Sequence, residues 1–146
     1  MLPGAMSEFF QRNHVMCLAT ASGGQPYSTP LFYYFSASDV VFSFLSSLQT
    51  RHADEAIRNE SVSAAVYAPH RDVAMLQGAQ MLGTVSMHSA EDSKSSRDFA
   101  AYRERFPECE PLLGDPELRF WTLRVHWIKY TDNTVRFGHK EIWSRS

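Results

Sequence analysis

The sequence predicts a mainly β, α+β fold in which a mostly antiparallel β-barrel carries peripheral helices. Three observations carry that expectation. Most apolar segments alternate with the period of a strand, most connections are short turns, and only a few segments have helical spacing. After a short N-terminal helix the order reads as three strands, a helix, two strands, a helix and two strands. Hairpins with few long crossovers point to a barrel rather than a doubly wound parallel sheet.

Residues 7–13 form the first helix, with Phe9 and Phe10 on its apolar side. Residues 14–21 read as a strand closed by the turn Ser22, Gly23, Gly24 and Gln25. Residues 26–35 follow, with Leu31, Tyr33 and Phe35 on one face and Phe32 and Tyr34 on the other. A strand apolar on both faces is expected between layers, as in a closed barrel or at a subunit contact. Pro30 predicts a break in its ladder, at an edge or a bulge. A third strand spans 40–45. Residues 50–59 are helical: Thr50 is an N-cap, and Ala53, Ala56 and Ile57 fall at i, i+3 and i+4. Residues 61–68 and 73–87 are the fourth and fifth strands, the latter with Gly78 and Gly83 as bend points. Ser89, with Asp92 three residues on, caps a helix that runs to Arg105 and is stopped by Pro107. Residues 118–130 and 137–143 are the last strands, joined through Asp132 and Asn133.

A chain of 146 residues has the length of one domain, and no internal repeat divides it, so residues 1–146 are read as a single domain. With 44% hydrophobic and 21% charged residues it has a globular composition. A formal charge of -2 lacks the basic balance of a nucleic-acid binder. The bases Arg119, Arg124, Lys129, Arg136, Lys140 and Arg145 nonetheless face only Asp132 and Glu141 in the last stretch. Either they are a solvated strand surface, or one or two of them help bind an anion. Cys17 and Cys109 have no metal or disulfide spacing, and Cys17 reads as a small hydrophobe inside an apolar strand. No targeting pattern and no apolar run of spanning length is present, so a reduced, cytoplasmic protein without a membrane partner is expected. The histidines show no metal spacing, and no metal site is expected.

The most informative stretch is residues 45–52, Leu-Ser-Ser-Leu-Gln-Thr-Arg-His. It leaves a strand and enters a helix with three hydroxyls and two potentially cationic side chains. The first amides of a helix have no internal partner, and the helix dipole adds positive character there, so a phosphate fits. Ser46, Ser47, Thr50, Arg51 and His52 are its candidate ligands. A cation at position 51 opposes the dipole, so some anion, bound or side-chain, should offset it. The competing reading is a plain N-cap with an exposed Arg and His.

These residues also carry a resemblance. A strand, Ser-Ser-x-x-Thr-Arg-His-Ala, a helix, a strand, and then Leu-Gln-Gly-Ala-Gln-Met-Leu-Gly over 76–83 is similar to the pyridoxamine 5'-phosphate oxidase-like, FMN-binding split-barrel superfamily. The likeness is greater to a bacterial subfamily of unassigned function. Its further marks are Tyr102, Phe106 and Pro107, the run over 129–134, Phe137, Gly138, Lys140 and Trp143, so it spans about 14–143. The resemblance implies a homodimer with FMN in clefts between subunits. The phosphate would lie on Ser47, Thr50, Arg51 and His52, and the ring edge along Ser28, Thr29, Pro30 and Leu31. Gln80 would reach the ring, with Gln77 as its competitor, since the two face opposite ways unless Gly78 bulges. Lys140 would touch the partner's flavin phosphate or an anionic substrate, and Trp143 would cover a ring.

The expected function is therefore an FMN flavoprotein, with the flavin doing oxidoreductase chemistry on a small molecule; no catalytic side chain is identified. The Arg- and His-containing C-terminal substrate motif of true pyridoxamine phosphate oxidases is missing, so that activity is not expected. The alternatives are a non-catalytic flavin or phosphate-ligand carrier or sensor, and a haem or deazaflavin binder on the same barrel.

Overall fold

The computed structural model describes residues 1–146. Helix α1 (Gly4–Arg12) packs Met6, Phe9 and Phe10 into the core, and strand β1 (Val15–Ser22) follows. Gly23 and Gly24, both at positive φ, make the two-residue turn into β2 (Gln25–Phe32). Next come β3 (Tyr34–Ser36), β4 (Val41–Ser47), α2 (Arg51–Arg58) and β5 (Ser61–Ala68). After β6 (Gln77–His88), two helices, α3 (Ala90–Lys94) and α4 (Arg97–Arg105), lead through a 3-10 segment (Pro107–Gly114) to β7 (Leu118–Asp132) and β8 (Lys140–Ser144).

Every strand pair is antiparallel, in the order β2-β1-β5-β6-β7-β4-β3, with β8 on β7. The two ends of this order, β2 and β3, are separated in the chain by Tyr33 alone. The sheet must therefore curl until its edges meet at Tyr33, whose amide extends the β1–β2 ladder by donating to the His14 carbonyl at 3.0 Å. Inside lies one core of 24 buried residues, with α1 as the plug at the seam. Tyr33 donates its hydroxyl to the Phe10 carbonyl (2.9 Å), and Phe10 meets Phe42 edge-on at 4.9 Å. A smaller core of Tyr102, Phe106, Cys109 and Phe120 seats α4 on the outside of the sheet. No helix is long and apolar enough to cross a membrane.

Several details differ from the sequence reading. The expected strand over 26–35 is two strands, because the chain changes partner at Tyr33, from β1 before it to β4 after it. β2 is an edge strand in continuous register with β1, and Pro30, opposite Cys17, is tolerated there without a bulge. The strand over 73–87 begins only at Gln77, since Asp72 caps a 3-10 turn at Val73–Met75. The helix expected over 89–105 is broken after Lys94, where Ser96 caps a second helix by accepting from the Phe99 amide. Cys17 is half-buried on the outer face of β1, not a core residue.

Of the two expected bend glycines only Gly83 marks one. The ladder slips between Leu82 and Gly83, leaving His126 as the extra residue on β7, while Gly78 stays in register with Tyr67 and Thr131. A Cβ on Gly83 would lie 2.5 Å from the Arg124 carbonyl oxygen and 2.8 Å from Leu123 Cδ1. Backbone cannot yield as a side chain can, so Gly83→Ala should lower stability by about 1–3 kcal/mol, read from urea unfolding. Gly78→Ala, whose new Cβ meets its neighbours at 3.5 Å or more, should have the smaller effect.

Candidate functional site

Strand β4 ends at Ser47, and the chain tightens into the start of α2. The Ser47 hydroxyl accepts from the Gln49 amide (3.1 Å), and the Thr50 hydroxyl donates to the Ser47 carbonyl (2.8 Å) while accepting from the Ala53 amide (3.3 Å). Thr50 is thus the N-cap its sequence position predicts. The amides of Arg51 and His52 take no backbone partner, which leaves them free at the positive end of the helix.

Ser46 and His52 go inward. Both are buried, Ser46 Oγ is hydrogen-bonded to His52 Nε2, and the Thr50 hydroxyl lies 3.3 Å from the same nitrogen. Burial pushes the His52 pKa down, so the ring is neutral at pH 7. The potentially cationic residue of the sequence reading is here an uncharged bracket that ties the loop to the helix. Because the folded state disfavours protonated His52, its contribution to stability is full above the unfolded-state pKa of about 6.5 and falls below it. Stability should therefore drop as pH goes from 7.5 to 5.5, and His52→Asn should flatten that slope in pH-dependent urea titrations.

Arg51 goes the other way. Its Nε donates to Glu55 Oε2 at 2.6 Å, and its guanidinium lies over the Tyr27 ring, 4.2 Å from the centroid. The side chain is 53% exposed, whereas Glu55 is buried and also accepts from the Thr20 hydroxyl at 3.0 Å. The anion that offsets a cation at the helix start is therefore the Glu55 carboxylate one turn on. The hydrogen bond from Arg51 outweighs the opposing burial and holds that carboxyl below its ordinary range.

Tyr27 is also the start of a strip. Tyr27, Thr29 and Leu31 are the half-buried positions of β2, alternating with exposed Ser28, Pro30 and Phe32. At about 3.4 Å per residue, Thr29 lies about 7 Å and Leu31 about 14 Å along the strand from Tyr27. The Thr29 hydroxyl is buried and has no hydrogen-bond partner. An exposed guanidinium edge and an unpartnered hydroxyl thus share one face of an edge strand.

The remaining candidates lie elsewhere. Ser28 and Gln80 meet on the outer face of the sheet, lining a shallow cavity of about 400 Å³ with Cys17, Leu82, Trp127 and Lys129. With no bulge at Gly78, Gln77 points away from them and accepts from Arg12 at 2.7 Å. Lys140 and Trp143 sit on β8, opposite Thr131 and Ile128, whereas Ser46 faces Arg119 at the other end of β7. Twelve residues separate Arg119 from Thr131, about 40 Å of strand, so Lys140 does not join the α2 site within one chain. The turn before β8 is built by Asn133: its side chain donates to the Val73 carbonyl and accepts from the Gly138 amide, both at 2.8 Å.

Sequence reasoning missed Tyr27, Thr20 and Glu55. The i, i+4 spacing of Arg51 and Glu55 is a readable signal. Tyr27 and Thr20 reach Arg51 and Glu55 only through the register of the β1–β2 hairpin, in which they are partners.

Comparison with known proteins places the fold. A family model described as pyridoxamine 5'-phosphate oxidase matches residues 2–132. The chain belongs to the pyridoxamine 5'-phosphate oxidase family. Within it, the UPF0306 protein YhbP of Escherichia fergusonii is 34% identical over 142 residues, covering 97% of this chain and 92% of its own length. Among solved structures, a heme binding protein from Mycobacterium smegmatis superposes with a TM-score of 0.78 at 17% identity, over 99% of this chain and 59% of that one. An FAD-binding protein from Mesorhizobium loti gives 0.67 at 19% identity, over 87% and 92%. Identities this low show a shared fold alone. The family inferred from residues 46–52, 76–83 and 129–143 is the one the comparisons find, and the mostly antiparallel split barrel is its fold.

Proposed function

We propose that this member of the pyridoxamine 5'-phosphate oxidase family binds FMN and acts as an oxidoreductase on a small molecule. The observation that carries the reading is the β2 strip: the free Arg51 guanidinium edge over Tyr27, on the helix whose first amides are also free, and the unpartnered Thr29 hydroxyl farther along the same face. That set suits a phosphate-bearing flavin. Arg51, the Arg51 and His52 amides and Ser47 would hold the phosphate, Thr50 would shape the loop as its cap, and Thr29 and Leu31 would border the flavin. FMN would supply the hydride or electron transfer, while the chain binds, orients and shields it.

The reading includes a homodimer. The outer sheet face carries small and apolar side chains, Cys17, Ala19, Ala65, Trp127 and the exposed Leu82, around the cavity that holds Gln80. A second copy packed on this face would bury them and could bring its Lys140 and Trp143 toward the α2 site, which they do not reach within one chain. The two free cysteines suit the reducing cytoplasm.

The test is a visible spectrum of the purified protein, followed by FMN titration and sedimentation. Flavin absorbance bands, saturable FMN binding and a two-chain mass are expected; colourless protein that gives no spectral change or stabilisation with FMN would overturn the flavin reading. FMN bound without reduction by NADH or NADPH, or turnover with any acceptor, would leave a carrier or sensor. Haem is the second reading, favoured by the heme-binding relative of the same fold and by His14, whose exposed ring stacks on Phe32 beside a cleft lined by Met16, Pro30 and Tyr67. A Soret band on haem addition, lost in His14→Ala, would establish it.

A further inference from the structure

Arg51 is held on two sides at once. A guanidinium is planar, so a hydrogen bond at Nε fixes one edge and stacking on a ring fixes the face. Here Glu55 Oε2 takes Nε at 2.6 Å and Tyr27 lies under the plane at 4.2 Å. What remains is the edge bearing Nη1 and Nη2, which makes no hydrogen bond within the chain and is the edge suited to bidentate contact with a phosphate. Glu55 is anchored in turn. It is buried, and its second oxygen accepts from the buried Thr20 hydroxyl at 3.0 Å. Thr20 and Tyr27 are cross-strand partners in the β1–β2 hairpin. The chain of contacts Thr20, Glu55, Arg51, Tyr27 therefore closes on itself and locks the start of α2 to the strand that carries Thr29.

We propose that Glu55 is a positioning residue for phosphate recognition: it aims the free edge of Arg51 and sets the spacing between the phosphate end and the β2 end of the site. The proposal rests on the FMN reading above. It also opposes the simplest electrostatic expectation. A carboxylate this near a phosphate repels it and neutralises part of the Arg51 charge, so on charge alone its removal should tighten binding. Orientation predicts the reverse, because an unheld arginine must lose side-chain freedom each time it binds.

Riboflavin, which lacks the phosphate, separates the two ends of the site. FMN and riboflavin affinities would be measured by flavin fluorescence for the parent protein, Glu55→Gln, Thr20→Val, Arg51→Ala and the Arg51→Ala/Glu55→Gln double variant. Glu55→Gln should weaken FMN by about 5- to 20-fold and leave riboflavin within about twofold, with no further loss once Arg51 is already alanine. Thr20→Val, which removes only the outer anchor, should shift FMN in the same direction by less. Unchanged or tighter FMN binding in Glu55→Gln would overturn the proposal, as would an equal fall for FMN and riboflavin, which would mark general loosening. A parent protein that binds FMN no better than riboflavin would instead overturn the phosphate assignment on which the proposal stands.

Discussion

Phe10→Ala should lower the unfolding free energy by about 3–5 kcal/mol, the largest stability effect expected of any single substitution considered for this chain. Phe10 is fully buried at the seam where the barrel's ends meet. Its ring contacts Phe9, Phe35 and Phe42 at centroid distances of 5.6, 5.1 and 4.9 Å. Truncation would leave a cavity walled by aromatic rings, which cannot collapse without moving α1 or β4. The Phe10 carbonyl that receives the Tyr33 hydroxyl survives in the variant, so the loss reports packing and not that hydrogen bond. Natural domains hold about 5–15 kcal/mol in all, so a large share of the stability is at stake. Urea unfolding followed by tryptophan fluorescence would measure it, and a change below about 1 kcal/mol would show that α1 is peripheral to the barrel.

Arg51→Ala should weaken FMN binding by about 10- to 100-fold, with riboflavin much less affected. The variant loses the exposed guanidinium edge and also leaves the buried Glu55 carboxylate without its cation. Both changes disfavour a phosphate. Arg51→Lys is the informative companion. It keeps the charge but cannot offer a planar fork, occupy Glu55 through Nε and stack on Tyr27 together, so it should recover only part of the affinity. Equal FMN affinity in all three proteins would place the phosphate elsewhere. Raised salt should weaken the parent protein more than Arg51→Ala, because screening acts on a contact that the variant lacks.

The α2 cap shows how much of the site was legible before the fold was known. Thr50 followed by Arg51 and His52 marks a helix start and an anion site from local chemistry, and the cap formed as its position predicts. The two bases looked alike in sequence and proved to be opposites: His52 is buried and neutral against Ser46, while Arg51 is exposed and charged. Adjacent helical residues are about 100° apart around the axis, so the two can be parted between barrel and solvent. Which did so depended on what the barrel had to offer. The Ser46 hydroxyl took the imidazole, and Glu55 with Tyr27 took the guanidinium. The break at Tyr33 escaped the strand pattern for a related reason, since alternation records which residues avoid water but not where a sheet must turn to close.

By itself the sequence determined the antiparallel pattern, the cap at Thr50, and the family, through motifs that are each short and local. These depend on residues near one another in sequence, where local sterics, periodicity and capping act. Only the tertiary structure decided that Gly83 and not Gly78 is the bend, that Gln80 lies with Ser28 while Gln77 turns away, and that Lys140 stands far along β7 from Arg51. It alone brought Tyr27 and Thr20 to the Arg51–Glu55 pair. Each of those outcomes depends on the register between strands distant in sequence, where a slip of one residue reverses every side chain, and register is set by how the whole barrel packs.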